Sequence, residues 1–183
     1  NRVLMNEQKT ALRKRIRSLK KAVSAEDKIR RSQLILEKVE TLKAFRDSQV
    51  VMVYWSMSDE VHTHDFVKKW ADSKTIVLPV VKGDELELRI FTGEDSLIKG
   101  EYYGILEPTG KIVEDANQID FILVPGVAFD KSNNRLGRGK AYYDKLLKNT
   151  HAYKAGICFG FQMVPQVPVD ENDITMDMVI TED

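Results

Sequence analysis

Residues 49–55, QVVMVYW, are too continuously apolar for a strand with one wet face, so the fold must cover this run on both sides. Such a run belongs at the centre of a parallel sheet. A second run, Phe121–Val124 (FILV), stops at Pro125-Gly126 and has the composition of another buried strand. Residues 75–80, ended by Pro79, residues 154–161 and a short run at 176–181 supply further strands. Residues 85–91 (ELELRIF) alternate as a half-exposed strand does, and Gly83-Asp84 before them makes a hairpin turn. Helical spacing appears between these runs. Leu12, Ile16, Leu19 and Val23 mark a first helix over 6–22. Behind Ser24 as N-cap, with Glu26 and Asp27 in the first turn, a second runs to about Phe45. Thr63 caps a third over 64–72, and residues 140–148 place Tyr142, Tyr143, Leu146 and Leu147 on one side of a fourth. Residues 92–118 show no clear pattern. The alternation predicts one domain over 1–183, three-layer α/β/α around a mostly parallel sheet, with an N-terminal helical pair.

The chain has 183 residues, of which 31% are charged, and no apolar run approaches the length of a membrane span. Nothing at its start resembles a signal peptide, so a cytoplasmic location is expected, with no membrane partner. Cys158 is the single cysteine, which leaves no disulfide framework and no cysteine-based zinc site; its setting, KAGICFGF, reads as a buried strand. Net charge is zero, which argues against a general nucleic-acid binder but not against a local basic site.

The chemistry gathers after Phe121–Val124. A polar loop over 130–139 carries Arg135 and Arg138, Lys140 follows, and a helix begins, with no acid among the three cations. Strand, basic glycine loop and helix start in that order suit a phosphate group, which backbone N–H groups and cations hold together. It is not a Walker loop, since Asn134 and Ala141 stand where Gly and Ser or Thr are needed, and Gly137-x-Gly139 lacks the third glycine of a Rossmann fingerprint. The alternative is a hairpin-like loop with solvated charges. Seven Lys or Arg lie between Lys9 and Lys21 without an acid, which by itself describes an amphipathic helix with a solvated basic face. Glu60 lies just beyond the carboxyl end of the first apolar run, where open α/β sheets collect ligands, although spacing alone fits an ordinary loop acid. His62-x-His64-Asp65 lacks a third clustered ligand, so no metal is assigned there.

Four blocks carry a resemblance: KTALR (9–13), YWSMSDE (54–60), PGVAFD with RLGRGKAYYD (125–130 and 135–144), and QVPVDEND (166–173). In that order, and over nearly the whole chain, they resemble the 5-formyltetrahydrofolate cyclo-ligase (methenyltetrahydrofolate synthetase) family. The resemblance implies an ATP- and Mg²⁺-dependent, carbon–nitrogen bond-forming ligase that acts on a folate, as a monomer and without nucleic acid. It implies that ATP contacts Lys9, Arg13, Arg135, Leu136, Gly137, Arg138, Gly139, Lys140, Ala141, Tyr142 and Tyr143. Folate contacts fall on Arg13, Trp55, Glu60, Tyr103, Arg138, Gly139, Lys140 and Tyr142. Lys140 and Arg138 are then the catalytic cations, and Asp144 and Asp173 the magnesium ligands; the other five N-terminal cations stay on the surface. Ala141 departs from the family's usual Gly, which suggests a helical position or a slightly different loop. Two rivals stand beside this reading. Another small-molecule phosphotransferase on the same loop would leave Glu60, Lys9 and Arg13 without a role. A non-catalytic RNA-binding protein using the basic helix fits poorly with zero net charge.

Overall fold

The computed structural model describes residues 1–102 and 104–183. In chain order the elements are α1 (Arg2–Lys21), α2 (Ala25–Thr41), α3 (Lys43–Arg46), β1 (Val50–Met52), α4 (His64–Trp70), β2 (Thr75–Lys82) and β3 (Glu85–Ile90). They continue with β4 (Ile98–Lys99), β5 (Leu106–Glu107), β6 (Phe121–Val124), β7 (Ala128–Phe129), β8 (Arg135–Leu136), α5 (Tyr142–Leu147), β9 (Tyr153–Ile157) and β10 (Met178–Ile180). Six strands form one sheet in the order β10-β9-β6-β1-β2-β3, with only the β2–β3 hairpin antiparallel.

The register explains why the central runs are apolar throughout. Val51 lies beside Ile76 and Phe121, and Met52 beside Val77 and Ile122. The first row packs with Ile35 and Val39 of α2, Phe45 of α3 and Phe66 and Val67 of α4. The second row faces the other way, toward Leu147 of α5, Ile119 and Phe129. All six strand residues are essentially inaccessible, and burying each such side chain contributes about 1.5–3 kcal/mol. This is the expected three-layer arrangement. The N-terminal helices divide between layers: α2 covers the sheet, whereas α1 puts Ile16 against Ala128, Leu136, Val164 and Val167, beside the small β7–β8 hairpin. Cys158 is buried, as expected, and burial pushes its thiol pKa up.

Some expectations shift. Ser24 caps α2 as predicted, accepting from the Asp27 N–H at 3.1 Å, but the helix stops at Thr41 because Leu42 is extended (ψ 131°), and α3 restarts with Lys43. Pro79 does not end its strand. It pairs in register with Leu88 past the last residue of β1, where the sheet no longer needs a donor on that side. The Gly83-Asp84 turn is present, with Gly83 at φ 63°. Thr63 stands at the N-cap of α4 without a capping bond; its hydroxyl instead donates to the Tyr54 carbonyl at 2.6 Å. Among the described residues no helix is long and apolar enough to cross a membrane.

Candidate active site

The chain leaves β1 toward β2 and β3, then returns to lay β6 on the other side of β1. The sheet therefore switches direction between β1 and β6, and a crevice at the carboxyl ends of those strands is where such folds hold ligands. Two loops line it, one after each strand.

The loop after β1 is stapled. The Ser56 and Thr63 side chains exchange bonds with each other's backbone N–H groups (2.9 and 3.2 Å), and the Tyr54 hydroxyl donates to the Val61 carbonyl at 2.9 Å. Glu60 closes a tight turn by accepting from the Met57 N–H at 2.9 Å. Its carboxylate is largely enclosed, with Arg138 at 3.7 Å. Burial raises the Glu60 pKa, and the Met57 bond and Arg138 only partly offset that rise.

The loop after β6 is held from inside by Asp130. One of its oxygens accepts from the Ser132 and Asn134 N–H groups, both at 3.0 Å, and the other from the Asn134 amide at 3.1 Å and the Val167 N–H at 2.9 Å. Burial pushes the Asp130 pKa up, but these bonds together outweigh it and hold the group below the usual carboxylate range. Gln162 ties the same loop to the end of β9, donating to the Gly126 and Val127 carbonyls at 3.0 Å each. The loop is thus a hairpin, but not one with only solvated charges. Arg135 is buried, donates to the Pro125 carbonyl at 2.6 Å, lies 3.7 Å from Asp144 and sits over the Tyr143 ring at 5.2 Å. Its guanidinium fills the space beneath Gly137, where a Cβ would stand 3.1 Å away. Arg138 is half-exposed and Lys140 exposed.

Helix α1 closes the loop from the side. Arg13 donates from Nε to the Gly137 carbonyl at 2.9 Å and lies under Gly139, which adopts φ 109°. Lys9, one turn earlier, bridges to Asp173 at 3.2 Å and Asp170 at 3.5 Å. Burial raises the Asp144 pKa, Arg135 opposes it, and the negative charge of Asp173 raises it further, so the two carboxylates lie near enough to repel. That donor set suits magnesium, which takes one or two carboxylates and fills its octahedron with phosphate oxygens and water. No cluster of three or more potential ligands occurs among the described residues, His62 and His64 included.

The expected contacts do not all converge. Trp55 is buried, stacked on His64 (3.9 Å, 9° between planes) and lying 6.0 Å from Phe91, so its ring faces are covered by protein. Tyr103 lies outside the described residues. Leu136 packs its side chain into the α1 cluster, leaving only backbone toward the loop. Tyr142 reaches the Gly83 carbonyl at 3.5 Å, and Tyr143 is half-buried against Arg135. Ala141 is not helical: it sits left-handed at φ 59°, ψ 18°. Sequence reasoning also missed Lys20. Expected among the surface cations, Lys20 is instead buried on the inner side of α1, 3.6 Å from Asp59. The signal was its spacing, four residues after Ile16 and so on the same helix face.

Comparison with known proteins matches this arrangement to one family. A profile described as the 5-formyltetrahydrofolate cyclo-ligase family matches residues 5–182. The chain is 33% identical to a 5-formyltetrahydrofolate cyclo-ligase of Mus musculus, over 99% of this chain and 97% of that protein. It is 28% identical to the Haemophilus influenzae protein of the same name, over 94% and 97%. Among solved structures, the 5,10-methenyltetrahydrofolate synthetase of Aquifex aeolicus superposes with a TM-score of 0.85 at 35% identity, covering 95% of this chain and 89% of that one. The Mycoplasma pneumoniae enzyme of that name gives 0.76 at 29% identity, covering 96% and 99%.

Proposed function

The chain belongs to the 5-formyltetrahydrofolate cyclo-ligase family, and on that footing we propose that it converts 5-formyltetrahydrofolate and ATP to 5,10-methenyltetrahydrofolate, ADP and phosphate. The observation that carries this is the meeting of three distant segments at the switch point. Cations from α1 and the 135–140 loop lie on one side, the Glu60 carboxylate on another and the Asp144/Asp173 pair on a third.

A formamide is a poor electrophile and its oxygen a poor leaving group. The formyl oxygen attacks the γ-phosphate of ATP, and ADP leaves. The resulting phosphorylated imidate carbon is then attacked by the neighbouring folate nitrogen, and phosphate departs as the five-membered ring closes. Phosphoryl transfer demands charge neutralisation and alignment, which exposed Lys140 and half-exposed Arg138 are free to give. Arg13, fixed under Gly139, adds positive charge beside the loop backbone. Arg135, committed inward, supports the loop rather than presenting an open fork. Glu60 accepts from the amino and ring N–H groups of the pterin, a paired contact that a carboxylate makes well. Magnesium held by Asp144 and Asp173 would neutralise phosphate charge. Holding carbon and nitrogen together makes ring closure effectively unimolecular.

The test is spectrophotometric. Protein is mixed with 5-formyltetrahydrofolate, ATP and Mg²⁺, and the near-ultraviolet band of the methenyl product is followed. A rise that needs both ATP and Mg²⁺ and disappears in Lys140→Ala supports the reading. ATP binding without product would send the assignment to another phosphotransferase reaction.

A further inference from the structure

Lys20 has no duty in the fold that accounts for its burial. At the end of α1 a lysine ordinarily leans into solvent, where it still favours the helix dipole, as exposed Lys21 does. The Lys20 side chain instead runs inward to a small cavity that it lines with Tyr54, Glu60, Gly126, Ile157 and Gln162. Withdrawing an ammonium from water costs several kcal/mol unless partners replace the water. Among the described residues its partner is Asp59 at 3.6 Å, beyond hydrogen-bond length, and Asp59 is itself 44% exposed. The other polar groups of the cavity are already engaged: the Tyr54 hydroxyl with Val61, and the Gln162 amide with Gly126, Val127 and Phe159. The ammonium therefore has donors to spare beside Glu60, whose buried carboxylate has acceptor capacity to spare.

We propose that Lys20 is a specificity-determining residue that donates to the carbonyl oxygen at position 4 of the pterin ring, while Glu60 accepts from the adjacent ring N–H and amino groups. A donor beside an acceptor reads the full edge of a 2-amino-4-oxo heterocycle and rejects a 2,4-diamino ring, whose second amino group would point a hydrogen at the ammonium. Burial lowers the Lys20 pKa, and Asp59 and Glu60 oppose the shift by favouring the charged form. The assignment rests on the folate reading above.

The experiment measures affinities for 5-formyltetrahydrofolate and for its 4-amino analogue with wild type, Lys20→Met and Lys20→Gln, alongside a non-hydrolysable ATP analogue. Wild type prefers the 4-oxo ring. Lys20→Met keeps the stem without the donor and loses about 10- to 100-fold in 4-oxo affinity, the worth of one charged hydrogen bond. It leaves the 4-amino and nucleotide affinities nearly unchanged, so the 4-oxo to 4-amino ratio falls by that same factor, and what remains of the preference is the ring N–H that Glu60 reads. Lys20→Gln, with a neutral donor on a shorter stem, gives an intermediate ratio and serves if the Met variant folds poorly. A 4-oxo to 4-amino ratio equal to wild type in both variants overturns the assignment, even if overall affinity drops, since that pattern marks a merely structural lysine. Absence of folate binding and turnover in wild type would instead remove the functional reading, and this assignment with it.

Discussion

Ala141→Gly should make the protein more stable. Ala141 sits at φ 59°, ψ 18°, the left-handed region, at the N-cap of α5. There the Cβ of an L-residue approaches its own carbonyl oxygen, at a cost of about 1–2 kcal/mol, whereas glycine enters without it. The N-cap adds a few tenths in the same direction, because glycine is tolerated there better than alanine. Against this stands the extra freedom of glycine in the unfolded chain, about 0.5–1 kcal/mol. No packing is lost, since Ala141 is exposed. The balance is a gain of about 1 kcal/mol, or about 2–4 °C in Tm for a domain of this size. Thermal and urea unfolding of the two proteins side by side measure it. A glycine variant equal to or less stable than wild type would refute the reasoning, because it would mean that alanine is not strained there.

Four further outcomes follow from how far each charged group is committed. Arg135→Ala should cost about 3 kcal/mol, because it removes a buried side chain that supports the loop beneath Gly137 and leaves half-buried Asp144 without its nearest cation. Lys140→Ala should leave the unfolding midpoint within about 0.5 kcal/mol while lowering turnover about 100-fold or more, so melting curves and kcat separate the two. Glu60→Gln should weaken folate binding about tenfold, seen by substrate titration, and remove a pH step that lies above the ordinary glutamate value of 4.5 in wild type. The sign differs for stability. The folded state holds the Glu60 proton more tightly than the unfolded chain, so relative to the Gln variant wild type is favoured in acid and loses that advantage as pH rises through the raised pKa. Asp144→Asn should raise the Mg²⁺ concentration needed for half-maximal rate, and a titration unchanged from wild type would remove Asp144 from the metal site.

The fold was legible wherever burial on two faces leaves no freedom of composition. QVVMVYW and FILV could only hold central strands, although β1 is limited to Val50–Met52 and residues 53–55 continue past it as buried loop; the register is what alternates Val51 and Met52 between the two helical layers. Boundaries were less legible. Nothing local marks Leu42 as extended, and Pro79 reads as a terminator until the length of β1 beside it is known. The β4–β5 pair lay in the stretch without a pattern, since strands of two residues show no period. In the candidate site, the sequence offers residues but not how each is oriented. A sequence offers Arg135, Arg138 and Lys140 as equal cations, but only Arg135 has Pro125, Asp144 and Tyr143 around it. Trp55 similarly looks available beside a substrate loop until His64 and Phe91 cover it.

That difference in commitment orders the work of the cations. A cation with its donors spent inside the protein cannot follow charge as it develops on a transferring phosphoryl group, but it can hold a loop at fixed distance from one. Arg135 comes nearest to this by being buried with Nε given to the Pro125 carbonyl, and Arg13 does so in part, with Nε given to the Gly137 carbonyl. Arg138 touches Asp59 and Glu60 only at 3.5 and 3.7 Å with half its side chain exposed, so a phosphate can compete for it. If it moves to phosphate, Glu60 loses a cation in the same event. Lys20 then remains as the nearby positive charge that keeps the carboxylate in its accepting form. On the proposed function, nucleotide and folate binding should therefore be coupled through Arg138, with Lys20 limiting how far the first weakens the second; a folate affinity that is the same with and without a non-hydrolysable ATP analogue would refute this.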